Sequence, residues 1–241
     1  MLNILYKTYS FLIALPLFLV VTIIIAIIIM TAALLGDKDC TDYYLSKLWS
    51  KFTCRIFLLG IKVVGKEQLD PKQSYVFLAN HQGYFDIFLT YGYMGHNFKW
   101  MMKEYLRKIP FVGVACAASG QIFVDDTRAG ITKAVEQSRK TLQRGMSMVI
   151  FPEGTRSFDG SMSPFKRGAF MLSNEIGLPI VPMTINGSFH IFNRYAKSVS
   201  HGTLKLDIHK PITPEYYKSK TTKVFMQEVW DIINEGLEKN Q

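Results

Sequence analysis

The 241 residues carry 28 Lys/Arg against 19 Asp/Glu, a formal charge of +9, with 49% hydrophobic and 13% aromatic content. That much apolar and aromatic content excludes a disordered chain, and a single long uncharged stretch excludes a polytopic transporter. Scattered cysteines at Cys40, Cys54 and Cys116 fit neither a disulfide framework nor a CxxC metal site, which points to a reducing compartment.

Residues 11–35 hold no charge, and their only polar side chains are Thr22 and Thr31. As a helix this stretch measures roughly 37 Å, enough to cross a hydrocarbon core of about 30 Å with some tilt. A cleaved signal peptide has a shorter apolar region behind a more basic start than Lys7 alone, so a retained N-terminal membrane helix is expected. Pro16 can kink that helix, which leaves a re-entrant or in-plane segment open. Lys38, Lys47, Lys51 and Arg55 follow it closely, against Lys7 before it, and this bias places the rest of the chain on the cytoplasmic side.

Residues 43–59 read as a second, amphipathic helix, with Leu45, Leu48, Trp49, Phe52, Ile56 and Leu59 at helical spacing and Lys47, Lys51 and Arg55 on another face. Either it is an ordinary core-facing helix or it rests against anionic headgroups, which the basic balance of the chain favours. Beyond it, residues 74–79 form a short apolar run ahead of a polar loop at 80–86, the pattern of a buried strand delivering its loop to a site. A helix is expected at 87–93 and a strand at 121–124. Ile131, Ala134, Val135, Ser138 and Leu142 mark one face of a helix that Gly145 ends. Residues 147–151 are a third strand, followed by the turn-rich loop 152–165, a helix near 168–177 and a strand at 180–185. Residues 203–208 alternate like an edge strand, and 223–237 close the chain as an amphipathic helix. Strands alternating with helices predict an α/β fold.

The chain has no GxSxG elbow, no HExxH helix and no GxxxxGK[ST] phosphate loop, so serine hydrolases, zincins and P-loop NTPases lose weight. Two polar loops remain, each behind an apolar strand. In Asn80-His81-Gln82-Gly83-Tyr84-Phe85-Asp86, a His ending a strand and an Asp opening the next helix can meet. The carboxylate would then accept one imidazole N–H and leave the other nitrogen free to take a proton. No enzyme nucleophile stands beside the pair, so a base acting on a substrate hydroxyl suits it better than one acting on an enzyme serine; taken alone, a His–Asp pair at a loop is more often structural. In the second loop, residues 151–157 read Phe-Pro-Glu-Gly-Thr-Arg-Ser and 163–168 read Ser-Pro-Phe-Lys-Arg-Gly. Arg156 offers a planar fork for phosphate, Thr155 a hydroxyl, Gly154 close backbone approach, and Lys166 and Arg167 add charge at a helix start.

Residues 80–86 resemble the His-x4-Asp motif of the glycerolipid acyltransferases, and residues 151–157 resemble their Phe-Pro-Glu-Gly-Thr-Arg motif. Lys103-Glu104 with Ile109-Pro110 and Gly113 looks like the family's intervening segment, Gly120 to Asp125 like its second block, and Gly168 with residues 178–182 like its fourth. Residues 165–169 are especially similar to the 1-acylglycerol-3-phosphate acyltransferases within the family.

The resemblance implies transfer of a fatty acyl group from acyl-CoA or acyl carrier protein to lysophosphatidic acid, giving phosphatidic acid without a covalent acyl-enzyme. His81 is then the general base and Asp86 its orienting partner. Glu153, Gly154, Thr155 and Arg156 bind the acceptor's glycerol phosphate, and Lys103 is a further phosphate contact. Asp126 stands where the second block usually ends in Arg, so either Asp126 turns away and Arg128, two positions on, supplies the missing charge, or the acceptor is a less anionic lipid. Gly83 stands where members often have Ser. No metal and no bound cofactor is implied. The expected partners are the phospholipid bilayer, lysophosphatidic acid and the acyl thioester, with no nucleic acid. The expected organisation is an anchor at 1–36, an amphipathic, interfacial helix region at 37–64, and a single acyltransferase domain at 65–241 with a central mixed sheet flanked by helices. Transfer to another lysophospholipid or a lyso-aminolipid is the nearest alternative; a hydrolase or a charge-driven binding module are more distant ones.

Overall fold

The computed structural model describes residues 2–37, 40–125, 127–142 and 145–238. Helix α1 (Leu2–Tyr9), a π-helical turn at Ser10–Ala14 and helix α2 (Leu15–Leu34) run on as one rod. Pro16 sits in the first turn of α2, directly after the π turn, where the i→i−4 ladder is already interrupted, so the missing N–H does not break the helix. Helix α3 (Cys40–Ile56) follows, then strand β1 (Gly60–Val64), strand β2 (Val76–Ala79), helix α4 (Phe85–Tyr93) and strand β3 (Phe98–Lys103). Next come α5 (Val112–Ala118), β4 (Ile122–Val124), α6 (Arg128–Thr141), β5 (Ser147–Ile150) and α7 (Arg167–Ile176). The chain closes with β6 (Ile180–Asn186), α8 (Ser188–Phe192), β7 (Thr203–Ile208), α9 (Pro214–Lys218) and α10 (Thr222–Glu235).

The strands form one seven-stranded sheet in the order β1-β7-β6-β2-β5-β3-β4. All neighbours run parallel except β6 and β7, which makes the sheet mixed, as expected. Parallel strands covered on both faces read as continuous apolar runs, and β2, β5 and β6 are buried throughout their length. In β2 the side chains alternate between two cores. Phe77 and Ala79 pack with Cys54 of α3 and Leu89 of α4; Val76 and Leu78 pack with Ala134 of α6, Leu172 of α7 and Val229 of α10. The result is a three-layer helix–sheet–helix domain.

Three differences from the expected elements have physical reasons. Strand β7 is not an edge: β1 pairs outside it, from Gly60 opposite Thr203 to Val64 opposite Asp207. Residues 60–64 accordingly leave the helical region and enter the sheet, and the exposed side of β1 gives it no apolar run to announce it. Strand β3 went unread because Lys99 and Lys103 break its pattern. Lys99 is nonetheless 1% exposed, because Asp42 of α3 pairs with it at 3.0 Å and Ser119 C=O accepts from it at 2.7 Å.

The N-terminal rod lies along the domain. Tyr6 and Tyr9 donate to the carbonyls of Phe57 and Ile56 at 2.8 and 2.9 Å, and the Trp49 indole N–H reaches Thr22 at 2.9 Å. Phe18 stacks on Trp49 and meets Phe88 edge-on, while Ala26 and Ile29 pack with Ala115 of α5. One face of the rod is therefore part of the fold, and its other face presents Leu12, Leu19, Ile24 and Ile27 outward.

Candidate active site

Strands β2 and β5 are parallel neighbours, so the loops at their carboxyl ends leave the sheet side by side. His81 follows β2. Its Nδ1 lies 2.6 Å from Asp86 Oδ2 in the first turn of α4, and that same oxygen accepts the N–H groups of Gln82 at 2.7 Å and Gly83 at 3.0 Å. An oxygen receiving three donors is held as a carboxylate, so His81 carries its proton on Nδ1 and keeps Nε2 as an acceptor. Asp86 is fully buried, whereas the His81 side chain keeps 16% exposure. The imidazole stacks on Phe151 at 3.9 Å and 7°, and Phe151 stacks in turn on Trp100 of β3, which fixes the ring plane from behind. Asn80 anchors the loop by bonding both the N–H and C=O of Ile185 in β6.

Glu153 faces away from the expected position. Its carboxylate is 3% exposed; one oxygen accepts the backbone N–H of His81 at 2.7 Å and the other that of Ser163 at 2.8 Å. Burial pushes its carboxyl up to about 7, with the two backbone donors pulling the other way and Asp86 adding to the rise. Ser157 N–H also donates to His81 C=O at 2.7 Å. The two loops are thus cross-linked through backbone groups. Glu153 joins the loops instead of reaching the cavity, because both of its oxygens are already occupied by protein donors.

The cavity in front of His81 measures about 970 Å³. Its lining brings His81, Lys103, Gly154, Thr155, Arg156, Lys166 and Asp125 together with Ile25, Ala26 and Ile29 of α2 and Val112 and Ala115 of α5. Gly154 takes φ 71°, and a Cβ there would meet the Lys166 side chain at 2.8 Å. Five expected site residues therefore line one cavity: His81, Lys103, Gly154, Thr155 and Arg156. Asp86 stands directly behind them. Arg128 does not join them, since it opens α6 as an exposed residue off the cavity wall. Asp126 lies outside the described residues. Phe151 and Trp100 behind His81, and Tyr84 under Arg156, join the site without a role expected from sequence; only their aromatic character near the two motifs signals them. Among the described residues no group of three or more His, Cys, Asp or Glu could hold a metal ion.

A His–Asp pair at the carboxyl edge of parallel strands, lining a cavity of mixed polar and aliphatic side chains, is the site arrangement of an α/β enzyme. The chain belongs to the Acyltransferase family, whose model matches residues 60–186. It is 31% identical over 166 residues to a 1-acyl-sn-glycerol-3-phosphate acyltransferase of Helicobacter pylori, covering 68% of this chain and 70% of that one. A Chlamydomonas reinhardtii protein with the same activity in its name is 28% identical over 215 residues, 88% of this chain and 63% of that one. The chain spans about half the length of two chloroplastic relatives. The crystal structure of the lysophosphatidic acid acyltransferase PlsC of Thermotoga maritima is similar at a TM-score of 0.79 and 25% identity, covering 97% and 94% of the two chains.

Proposed function

We propose that this chain transfers a fatty acyl group from acyl-CoA or acyl carrier protein to the sn-2 hydroxyl of 1-acylglycerol-3-phosphate, giving phosphatidic acid. The observation that carries this reading is His81, its Nδ1 held by Asp86, lining a cavity that pairs the cationic side chains of Lys103, Arg156 and Lys166 with aliphatic ones from α2 and α5. Lysophosphatidic acid has that same polarity, a phosphate joined to an acyl chain.

In the reaction, Nε2 of His81 takes the proton of the acceptor hydroxyl as the oxygen attacks the thioester carbonyl carbon. A C–O bond forms, the tetrahedral intermediate collapses, the C–S bond breaks, and the thiolate leaves with the proton returned from the imidazolium. Asp86 stabilises that imidazolium and keeps the tautomer. A thioester already has a good leaving group, so the step asks for no metal and no bound cofactor. Arg156 and Thr155 are assigned to the acceptor's phosphate, with Gly154 giving backbone access and Lys103 adding charge. Glu153 acts through His81.

The N-terminal rod supports a membrane location, with the domain on the cytoplasmic side where the thioester is available. Because the rod contacts the domain from Tyr6 to Ile29, a full crossing would draw α3, with Lys47, Lys51 and Arg55, into hydrocarbon. We infer that it lies in one leaflet beside the active site. The deciding experiment incubates purified protein with labelled acyl-CoA or acyl carrier protein and a panel of lysolipid acceptors. Preferred product formation from lysophosphatidic acid is expected; release of free fatty acid alone, or preference for an acceptor without a phosphomonoester, overturns the assignment.

A further inference from the structure

Arg156 is held between two elements that lie on opposite sides of it in sequence. Its guanidinium carbon sits 3.6 Å over the ring centre of Tyr84, within van der Waals contact of the ring face. Tyr84 is itself backed by Phe192 at 5.1 Å, and its N–H donates to Phe192 C=O at 3.1 Å. From the other side, Arg194 donates to Arg156 C=O at 3.3 Å while its own guanidinium lies 4.0 Å over Phe158. Phe192 and Arg194 fall outside the residues that the family model matches.

Gly83 makes the arrangement possible. A Cβ there would come within 2.5 Å of Ser188 C=O and 2.8 Å of Phe192 C=O, so a serine at this position could not be accommodated without moving α8 away from the His81 loop. The glycine lets Phe192 close in beneath Tyr84.

A guanidinium has two separate recognition surfaces. Its flat face attracts an aromatic ring, and its edge carries the N–H fork that matches phosphate. Tyr84 occupies the face and leaves the edge, which donates no hydrogen bond to protein among the described residues. Arg156 and Tyr84 both line the cavity that His81 faces. An unsupported arginine would lose rotamer freedom on binding an anion, whereas a stacked one has already lost it.

We propose that Tyr84 is a positioning residue for the acceptor: it presents the Arg156 fork to the phosphate, with Arg194 fixing the backbone of Arg156 from the opposite side. This rests on the acceptor-phosphate reading of Arg156 given above. The role separates binding from chemistry, because neither Tyr84 nor Arg194 touches the proton that His81 moves.

The test measures KM and kcat for lysophosphatidic acid at saturating thioester, with a monoacylglycerol lacking phosphate as the comparison acceptor. Tyr84→Leu should raise the lysophosphatidic acid KM about tenfold, which is the loss of one partly desolvated cation–π contact, and leave kcat within about twofold. It should not change turnover of the monoacylglycerol. Tyr84→Phe keeps the ring and should restore KM to within about twofold of the parent. Arg194→Met should raise KM in the same direction, and it decides the matter if Tyr84→Leu does not fold. An unchanged KM in folded Tyr84→Leu, equal damage from Tyr84→Phe, or a fall in kcat alone overturns the proposal. Absence of any transfer by the parent enzyme refutes the functional reading instead. Calorimetric titration with glycerol 3-phosphate then judges the clamp: weaker binding in Tyr84→Leu, recovered in Tyr84→Phe, supports it, and identical binding in all three refutes it.

Discussion

The carboxylate of Glu153 accepts the backbone N–H of His81 at 2.7 Å, so the residue that the family motif assigns to the acceptor is bonded to the base's own backbone. With its second oxygen on Ser163 N–H, Glu153 fixes the spacing of the two active-site loops. Glu153→Gln replaces one acceptor with an NH2 group that must face an N–H donor. The expected outcome is a kcat lowered by about tenfold, from one lost charge-assisted bond of roughly 1.5–3 kcal/mol shared between folding and catalysis. The KM for lysophosphatidic acid should move by less than about threefold. A large KM effect with kcat intact would return Glu153 to the acceptor site.

The same carboxyl predicts a pH dependence of stability. Burial raises it from an ordinary value of 4.5 to about 7 in the folded protein. The folded state therefore holds this proton more tightly than the unfolded chain. Its stabilising contribution is complete below pH 4.5 and falls away as pH rises to about 7. Glu153→Gln cannot titrate, so the melting temperature of the variant relative to the parent should change between pH 4.5 and 7 and stay constant above. The excursion should be on the order of 3 kcal/mol. Parallel melting curves across that window would show that the carboxyl is not shifted.

His81→Ala should remove about 10²–10⁴-fold of kcat, the usual contribution of a positioned base, with an unchanged far-ultraviolet spectrum. Asp86→Asn should be at least as severe. Its amide cannot accept from the imidazole, Gln82 N–H and Gly83 N–H with one oxygen as well as a carboxylate does, so tautomer and loop geometry fail together. Turnover by a folded His81→Ala protein at near-parent rates would remove the mechanism.

The site was more legible in the sequence than the sheet. His81 and Asp86 were readable because a polar loop interrupts two apolar elements at a spacing that a strand-to-helix turn can close. Arg156 and Gly154 were readable for the same reason after β5. Strand β3 was not, because Lys99 contradicts a buried strand unless Asp42, in a helix far away in sequence, is known to neutralise it. Strand β1 was hidden by its half-exposed alternation, and with it the inner place of β7. The orientation of Glu153 was also beyond reach, since motif and composition say which residue stands in a loop but not which backbone groups it meets. The motif assigns Tyr84 no role; the approach of α8, permitted by Gly83, makes it a platform.

The N-terminal rod yields a topological prediction. Cys54 is buried and Cys116 lines the cavity, so both are replaced together with Cys40. A single cysteine introduced at Glu235 in α10 then becomes the reporting thiol. In intact cells an impermeant maleimide should leave it unlabelled, and permeabilisation should expose it. Labelling from outside would reverse the assigned orientation. Carbonate extraction should leave the protein in the membrane fraction, because the outer face of α2 remains apolar when charges on peripheral contacts are lost.

Asp42 and Lys99 join the N-terminal helices to the sheet, and their pair is almost dry, with side chains 5% and 1% exposed at 3.0 Å. Desolvation pushes the Asp42 carboxyl above its usual range, with Lys99 pulling it down, and Gln121 supplies a further donor at 3.0 Å. A buried pair of this kind contributes little net stability, because desolvation offsets attraction, yet removing one partner leaves an uncompensated charge. Lys99→Met should therefore destabilise by about 3–5 kcal/mol, a fall in Tm of about 6–20 °C for a chain of this size. The double variant Asp42→Leu with Lys99→Met should recover much of that loss, since both charges leave together and the replacements are apolar. A thermal double-mutant cycle reads the coupling directly. If the two single losses simply add in the double variant, the pair is not coupled, and the attachment of α3 to β3 must come from the surrounding apolar contacts alone.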